Sequence, residues 1–228
     1  MKKFFMFLTV AGFLAVTSVN AAEYGFDKAH SHIGFSVKHI LSKVLGEFKD
    51  YDGTFIFDPA KPEEGKVDVT IQAASISTDN EMRDHHLQSP DFFDAGKFPT
   101  LTFKSTSVTK GDGDNKYKVV GDLTIHGVTK SVTLDVDYLG ADSMPMGKDG
   151  KAVAKIVGFS ATTTIDRRDY GLVWNKTLAS GNLMVSNDVA ITLDISGMDK
   201  ASLDAMKKMM GKMKKEKPAD KPADAPKN

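Results

Sequence analysis

Two imidazoles stand on one strand face at His30-x-His32, and His39 and the pair His85-His86 add further groups able to ligate a metal or bond a polar ligand. Imidazole serves as a zinc ligand in chains without cysteine, but a closed site needs several donors at workable spacing. No carboxylate or third histidine stands at such a spacing, and adjacent histidines point apart on a helix. The histidines therefore read as polar loop or barrel-mouth groups, and no metal is expected. Arg83, Arg167 and Arg168 carry the planar fork that suits phosphate oxygens. Each also has an acidic neighbour, Asp84, Asp166 or Asp169, and pairing with it is the plainer reading. Gly111-Asp112-Gly113-Asp114-Asn115 has the composition of a calcium loop, but the required glycine and closing glutamate are out of register; it reads as a hairpin turn. No nucleophile elbow, zinc-protease helix, P-loop or dinucleotide fingerprint occurs. Nothing supports catalysis, and the protein is not expected to be an enzyme.

Positioning any of these groups falls to strands. From Tyr117 to Tyr138 apolar residues fall on alternate positions, odd before His126-Gly127 and even after it. A turn centred there sets Val119 opposite Leu134 and Tyr117 opposite Val136, so the ribbon has one apolar face. Such a face needs a second wall. Short strands are expected at Tyr24–Lys28, His30–His39, Val67–Ala73, Thr100–Val108, Val153–Ile165 and Leu183–Ile195. A further strand on either side of residues 49–52 changes phase there, which suggests a bulge or bend. Ile40–Leu45 reads as a helical turn. Residues 78–95 break the pattern, with Asp79 placed to cap a short helix that ends near Ser89-Pro90. About eight strands with one helical interruption favour an antiparallel barrel or sandwich. A barrel of eight strands is either packed solid or holds one small ligand, and periodicity does not choose between them. Trp174 and Tyr170 read as packing at a barrel end or as its rim.

The ends of the chain differ from its body. Lys2-Lys3, an apolar run from Phe4 to Val16 and a small-residue site ending at Ala21 have the form of an export signal cleaved after Ala21. The expected organisation is a signal peptide over residues 1–21, a β-domain over 22–197 and a Met/Lys/Pro-rich tail over 198–228. Cysteine is absent, so neither a disulfide nor a thiolate metal site is available. The formal charge of zero conceals a body with 19 basic and 25 acidic residues and a tail with nine Lys against five Asp and Glu. An acidic body argues against nucleic acid. In the tail, Leu203, Met206, Met209, Met210 and Met213 sit at helical spacing among lysines, an amphipathic helix over about 199–215. It reads as a solvated tail, a peripheral membrane contact or, with Met144 and Met146, a soft-sulfur site for Cu(I). The Pro-rich repeat after Lys217 reads as disordered.

Several separated motifs resemble the YceI-like family of exported polyisoprenoid-binding proteins over roughly Tyr24–Ile195. They are Asp27-Lys-Ala-His-Ser-His with Phe35 and Val37-Lys38-His39; Gly46-Glu47-Phe48 and Gly53–Asp58; Ala74–Thr78 followed by Arg83–Leu87; Ser89–Asp94 with Phe98-Pro99-Thr100; Gly121–Lys130; and Arg168-Asp169-Tyr170-Gly171-Leu172. The resemblance implies an all-β, extended lipocalin-like eight-stranded antiparallel barrel with a short helical insertion. It also implies non-enzymatic binding, storage or transport of an isoprenoid-like amphiphile such as a quinone or polyprenyl phosphate, in the periplasm. No cofactor is expected beyond that lipid. By strand phase, the candidate lining residues are Phe35, Val37, Phe55, Ile71, Phe103, Leu123, Val136 and Phe159. Candidates for the lipid's polar head are His30, His39, Arg83 and Arg168. The tail lies outside the family pattern. A stress-related exported interaction module with a packed core is the alternative, and a homodimer through a strand edge or the tail stays open.

Overall fold

The computed structural model describes residues 22–146, 150 and 152–216. The expected export signal and the Pro-rich repeat lie outside the described residues. Among the described residues eleven strands form one sheet: β1 (Glu23–Phe26), β2 (His32–His39), β3 (Ser42–Phe48), β4 (Tyr51–Ile56), β5 (Lys66–Gln72), β6 (Ile76–Ser77), β7 (Thr100–Lys110), β8 (Lys116–Ile125), β9 (Val128–Met146), β10 (Ala152–Asp166) and β11 (Val185–Asp199). Three pairs are halves of interrupted strands. β1 and β2 lie end to end against β11, with Tyr24 opposite Asp199 and Ile33 opposite Leu193. β3 and β4 lie end to end against them, and β5 and β6 form the next row. Counted this way there are eight strands. Each pairs antiparallel with its sequence neighbours, and β11 closes the ring onto β1 and β2. Closure pairs β11 with β1 and β2 in place of two open edges, while among the described residues Ser42–Gly46 of β3 pairs on the β2 side alone.

The Tyr117–Tyr138 ribbon pairs in the expected register, Val119 with Leu134 and Tyr117 with Val136. Its two-residue turn has positive φ at both central residues, 51° at His126 and 76° at Gly127. That conformation matches the right-handed twist of hairpin strands. Gly111 donates to the Lys116 carbonyl (2.8 Å) in the β7–β8 hairpin, so the Asp-Gly segment is a turn. The expected phase change falls between β3 and β4: Lys49 donates to the Ser75 carbonyl in the β3–β6 register, and Gln72 then donates to the Asp50 carbonyl in the shifted β4–β5 register.

Two local expectations are corrected. Ile40–Leu45 is no helical turn: Ile40 adopts φ 55° at a tight reversal, and Ser42 begins β3. Val37–Val44 pairing across this reversal uses the β-branched residues that a strand favours. The inserted helix α1 (Glu81–Gln88) is capped by Asn80, not Asp79; the Asn80 side chain accepts from the Arg83 amide. Asp79 instead takes φ 57° in the approach to the helix.

A second helix, α2 (Lys200–Glu216), follows β11 almost where the helical spacing of its apolar residues places it. Its start is anchored to the barrel. The Asp199 carboxylate accepts from the Ser202 amide (2.9 Å) and the Lys155 amide (2.7 Å). Leu203 and Met206 pack on the outer wall against Ala154, Ile156, Met146 and Met198. The first turns of this helix are thus part of the folded body, while Met209 and Met210 remain exposed.

Candidate functional site

The inward residues of all eight strands enclose a cavity of about 400 Å³. This lies in the range of roughly 300–1,000 Å³ typical of small-molecule sites. All eight phase-selected residues line it: Phe35, Val37, Phe55, Ile71, Phe103, Leu123, Val136 and Phe159. The lining is almost wholly aliphatic and aromatic, so water there gains few hydrogen bonds and an apolar chain gains contact.

Glycines keep this space open. A Cβ at Gly46 would lie 2.3 Å from the Phe35 ring, and one at Gly121 would lie 2.5 Å from the Phe103 ring. Both rings therefore lie along the wall, over a neighbouring strand's glycine, rather than across the lumen. One end of the barrel is instead stoppered by rings. Phe57 packs edge-on against Tyr117 (5.3 Å) and Phe159 (5.0 Å), and Tyr138 joins them at 5.1 Å from Phe57.

Four polar lining residues gather at the opposite end, His39 from β2, Arg83 and His86 from α1, and Arg167 after β10, while Lys66 lines the end beside Phe57. Trp174 closes over this end with α1. The His86 ring stands perpendicular to Phe92 and to Trp174, each at 5.1 Å, and a hydrogen bond joins His86 Nε2 to Asp91 (2.9 Å). The α1 segment and the Trp174 loop are thus clasped together over the lumen. Tyr170 is packed deep beside them at 2 % exposure. Its hydroxyl has no hydrogen-bond partner among the described residues. Burial, with Asp169 adding to it, pushes this phenol up to about 12.

The three arginines divide. Arg168 pairs with Asp166 (3.0 and 3.1 Å from Nε) on the outer surface. That bonding holds the Asp166 carboxyl down at about 2. Arg167, two residues on from inward-facing Ile165, turns inside. Its guanidinium donates to the carbonyls of Ser186 (2.9 Å) and Leu172, and burial lowers its pKa. Arg83 donates to Thr78 through Nε (2.7 Å) and Nη2 (2.9 Å), while Asp84 is itself taken by the Thr78 hydroxyl and amide. Neither Arg83 nor Arg167 has a carboxylate within ion-pair distance among the described residues.

Of the four head-contact candidates, His39 and Arg83 reach the cavity and two do not. His30 lies on the outside, mostly exposed and joined to Asp27 (2.7 Å). Arg168 faces outward because strand parity sends Arg167 in. Sequence reasoning named Arg167 but did not select it; the parity of Val157, Ala161 and Ile165 was the available signal. His86 and Phe92 carry no such signal, since a helix–loop insertion has no register with the wall, whereas Trp174 and Tyr170 stand at a barrel end as their sequence suggests. Among the described residues no group of three or more His, Asp or Glu converges as a metal site would require.

Comparison with known proteins places this arrangement. Residues 24–197 match the YceI-like domain. The UPF0312 protein of Pseudomonas fluorescens is 42 % identical over 177 residues, 75 % of this chain and 86 % of that protein. Protein YceI of Escherichia coli is 42 % identical over 176 residues, covering 75 % and 88 %. Among solved structures, a Campylobacter jejuni YceI protein superposes with a TM-score of 0.58 at 38 % identity, over 76 % of this chain and 96 % of that one. A domain of Saccharophagus degradans described as polyisoprenoid-binding shares the fold at a TM-score of 0.54 and 16 % identity, covering 79 % and 99 %.

Proposed function

This chain belongs to the YceI-like family, and on that premise we propose that its barrel takes up one long-chain, isoprenoid-like amphiphile and carries it without chemical change. The observation that carries the reading is the lumen: about 400 Å³ of space walled by aliphatic and aromatic side chains. Each chain carbon buried there gains about 0.8 kcal/mol. A few isoprene-sized units then outweigh the several kcal/mol lost in association and chain ordering. The name of the Saccharophagus degradans domain agrees with a polyisoprenoid as the class of ligand. A flexible chain suits a tube stoppered by rings at one end, and the groups at the other end, His39, Arg83, His86 and Arg167, receive its polar head. The alternative, an exported module with a solid core, is disfavoured by the same lumen. The Lys2-Lys3 and Phe4–Val16 leader supports export and cleavage after Ala21, and membership of the YceI-like family supports the periplasm as the compartment where the carrier works.

Mass spectrometry of organic extracts from the protein purified after export tests the proposal. One co-purifying isoprenoid-like species near equimolar amount is expected. Absence of any such species, together with no change in Trp174 fluorescence on adding a C20 isoprenoid alcohol, would overturn it.

A further inference from the structure

Exposed large apolar side chains gather toward the two ends of this barrel, Leu139, Met144, Val153, Met209 and Met210 at the α2 end. Around the Trp174 end, besides Met82 and Val128, they come from two abutting segments, residues 38–46 and residues 171–187. The Ile40 amide donates to the Met184 carbonyl (2.8 Å) and Val185 pairs with His39, which joins the β2–β3 hairpin to the loop carrying Trp174. That loop is itself a small hairpin, with Thr177 bridged to Leu183 and Met184 donating to the Lys176 carbonyl. Leu41 stands at the hairpin tip at 93 % exposure and Val173 is 67 % exposed; Ile40, Leu45 and Leu183 are exposed as well.

A hydrophobe at such exposure gains nothing from folding. Leu41 and Val173 both occupy the rim of an apolar lumen, where an accidental patch has no reason to concentrate. Within these two segments the charge is one-sided as well, although exposed Asp91 and Asp169 flank them at the same end. The two segments hold Lys38, Lys43 and Lys176 and not one Asp or Glu, although the body as a whole is acidic. Apolar side chains ringed by lysine fit a surface that is oily inside and anionic outside, which is the description of a lipid bilayer carrying acidic headgroups. A protein partner offering acidic groups would match the lysines but not the leucine tip together with an apolar passage behind it.

We infer that the β2–β3 hairpin and the 171–187 loop dock the barrel, mouth first, on an anionic lipid bilayer. This surface differs from the α2 helix, for which a peripheral membrane contact is one of three readings of the sequence. The mouth and α2 lie at opposite ends of the barrel: β11 enters at Val185 beside the mouth and leaves at Asp199 into α2. Docking by the hairpins puts Trp174 and the lumen against the lipid, whereas docking by Met209 and Met210 turns the mouth to water. The inference rests on the carrier reading for its purpose, namely exchange of the ligand directly with the bilayer.

The test is co-sedimentation of the exported, processed protein with phosphatidylglycerol/phosphatidylethanolamine vesicles and with phosphatidylcholine vesicles. Wild type should partition onto the first and hardly onto the second, and added salt should release it. Leu41→Ser with Val173→Ser should weaken partitioning at least about tenfold, given the apolar area withdrawn. Lys38→Gln, Lys43→Gln and Lys176→Gln together should weaken it similarly. All five positions are on the surface, and melting curves check that the variants fold. Met209→Ser with Met210→Ser should leave partitioning unchanged. Loss in that variant instead, equal binding to both vesicle types, or no partitioning by wild type would overturn the docking surface. Uptake of the C20 alcohol delivered from solution is measured alongside. If wild type takes it up but does not partition, the docking inference fails and the carrier stands; if wild type does not take it up, the carrier reading itself fails.

Discussion

Filling the lumen should strengthen the empty barrel while weakening the loaded one, and Ala161→Phe separates the two. Ala161 faces inward from β10 at 6 % exposure, between Val136 on β9 and Leu193 on β11, and it lines the cavity. The substitution adds roughly 100 Å³ of ring. Cavity volume costs about 24 cal/mol per Å³, so filling it stabilises the ligand-free protein by up to about 2.4 kcal/mol. Some of that is lost to imperfect fit, which leaves a rise in Tm of about 2–8 °C for a domain of this size. The same ring displaces about five chain carbons of a bound lipid, near 4 kcal/mol at about 0.8 kcal/mol each, or up to about a thousandfold in affinity. The assay uses protein stripped of lipid, because bound ligand would stabilise wild type by mass action. Calorimetry gives Tm, and Trp174 fluorescence follows titration with a C20 isoprenoid alcohol. In a solid interior the same ring would overpack, costing about 1–3 kcal/mol. A lowered Tm in the stripped variant would therefore refute the reasoning, as would unchanged affinity.

Three further outcomes follow from individual contacts. Gly46→Ala places a methyl 2.3 Å from the Phe35 ring and turns that ring into the lumen; lipid titration should show at least about tenfold weaker uptake, with a stability change of no more than about 1–3 kcal/mol. Tyr170→Phe removes a buried hydroxyl that has no partner among the described residues, so thermal unfolding should show Tm unchanged or raised; a clear fall would mean that the hydroxyl is bonded. Asp166 is held at about 2 by Arg168, a folded-state value below that of the unfolded chain. Its contribution to stability is complete above pH 4 and is lost as pH falls toward 2. Urea denaturation of Arg168→Gln should accordingly show a shallower loss of stability than wild type across that window, and parallel curves would contradict it.

Much of the wall was legible because it obeys a period of two. Val119 opposite Leu134, the turn at His126-Gly127 and the inward set from Phe35 to Phe159 follow from parity alone. What parity does not report is whether rings cross the lumen or lie along its wall. That depends on Gly46 and Gly121 meeting Phe35 and Phe103 across strands, which are pairings of residues distant in the chain. The Ile40 reversal was misread because a tight turn before Ser42 offers too few residues to display either period. The rim was harder still. His86, Phe92 and Trp174 come from an insertion and a loop, so their meeting is tertiary and leaves no mark in either segment. Arg168 was chosen over Arg167 although inward Ile165 pointed to Arg167; the neighbouring Asp166, which in the fold belongs to Arg168, made both look alike. His30 failed for a related reason, since Asp27 holds its ring outside the barrel.

The measurement closest to the central claim is a crystal of the stripped protein soaked with an isoprenoid alcohol brominated at its far end. The account places the bromine anomalous peak inside the barrel, deep toward Phe57, Tyr117 and Tyr138, with the hydroxyl end near Arg83 and Trp174. A peak confined to the outer surface, or an interior that stays empty at saturating lipid, would contradict it.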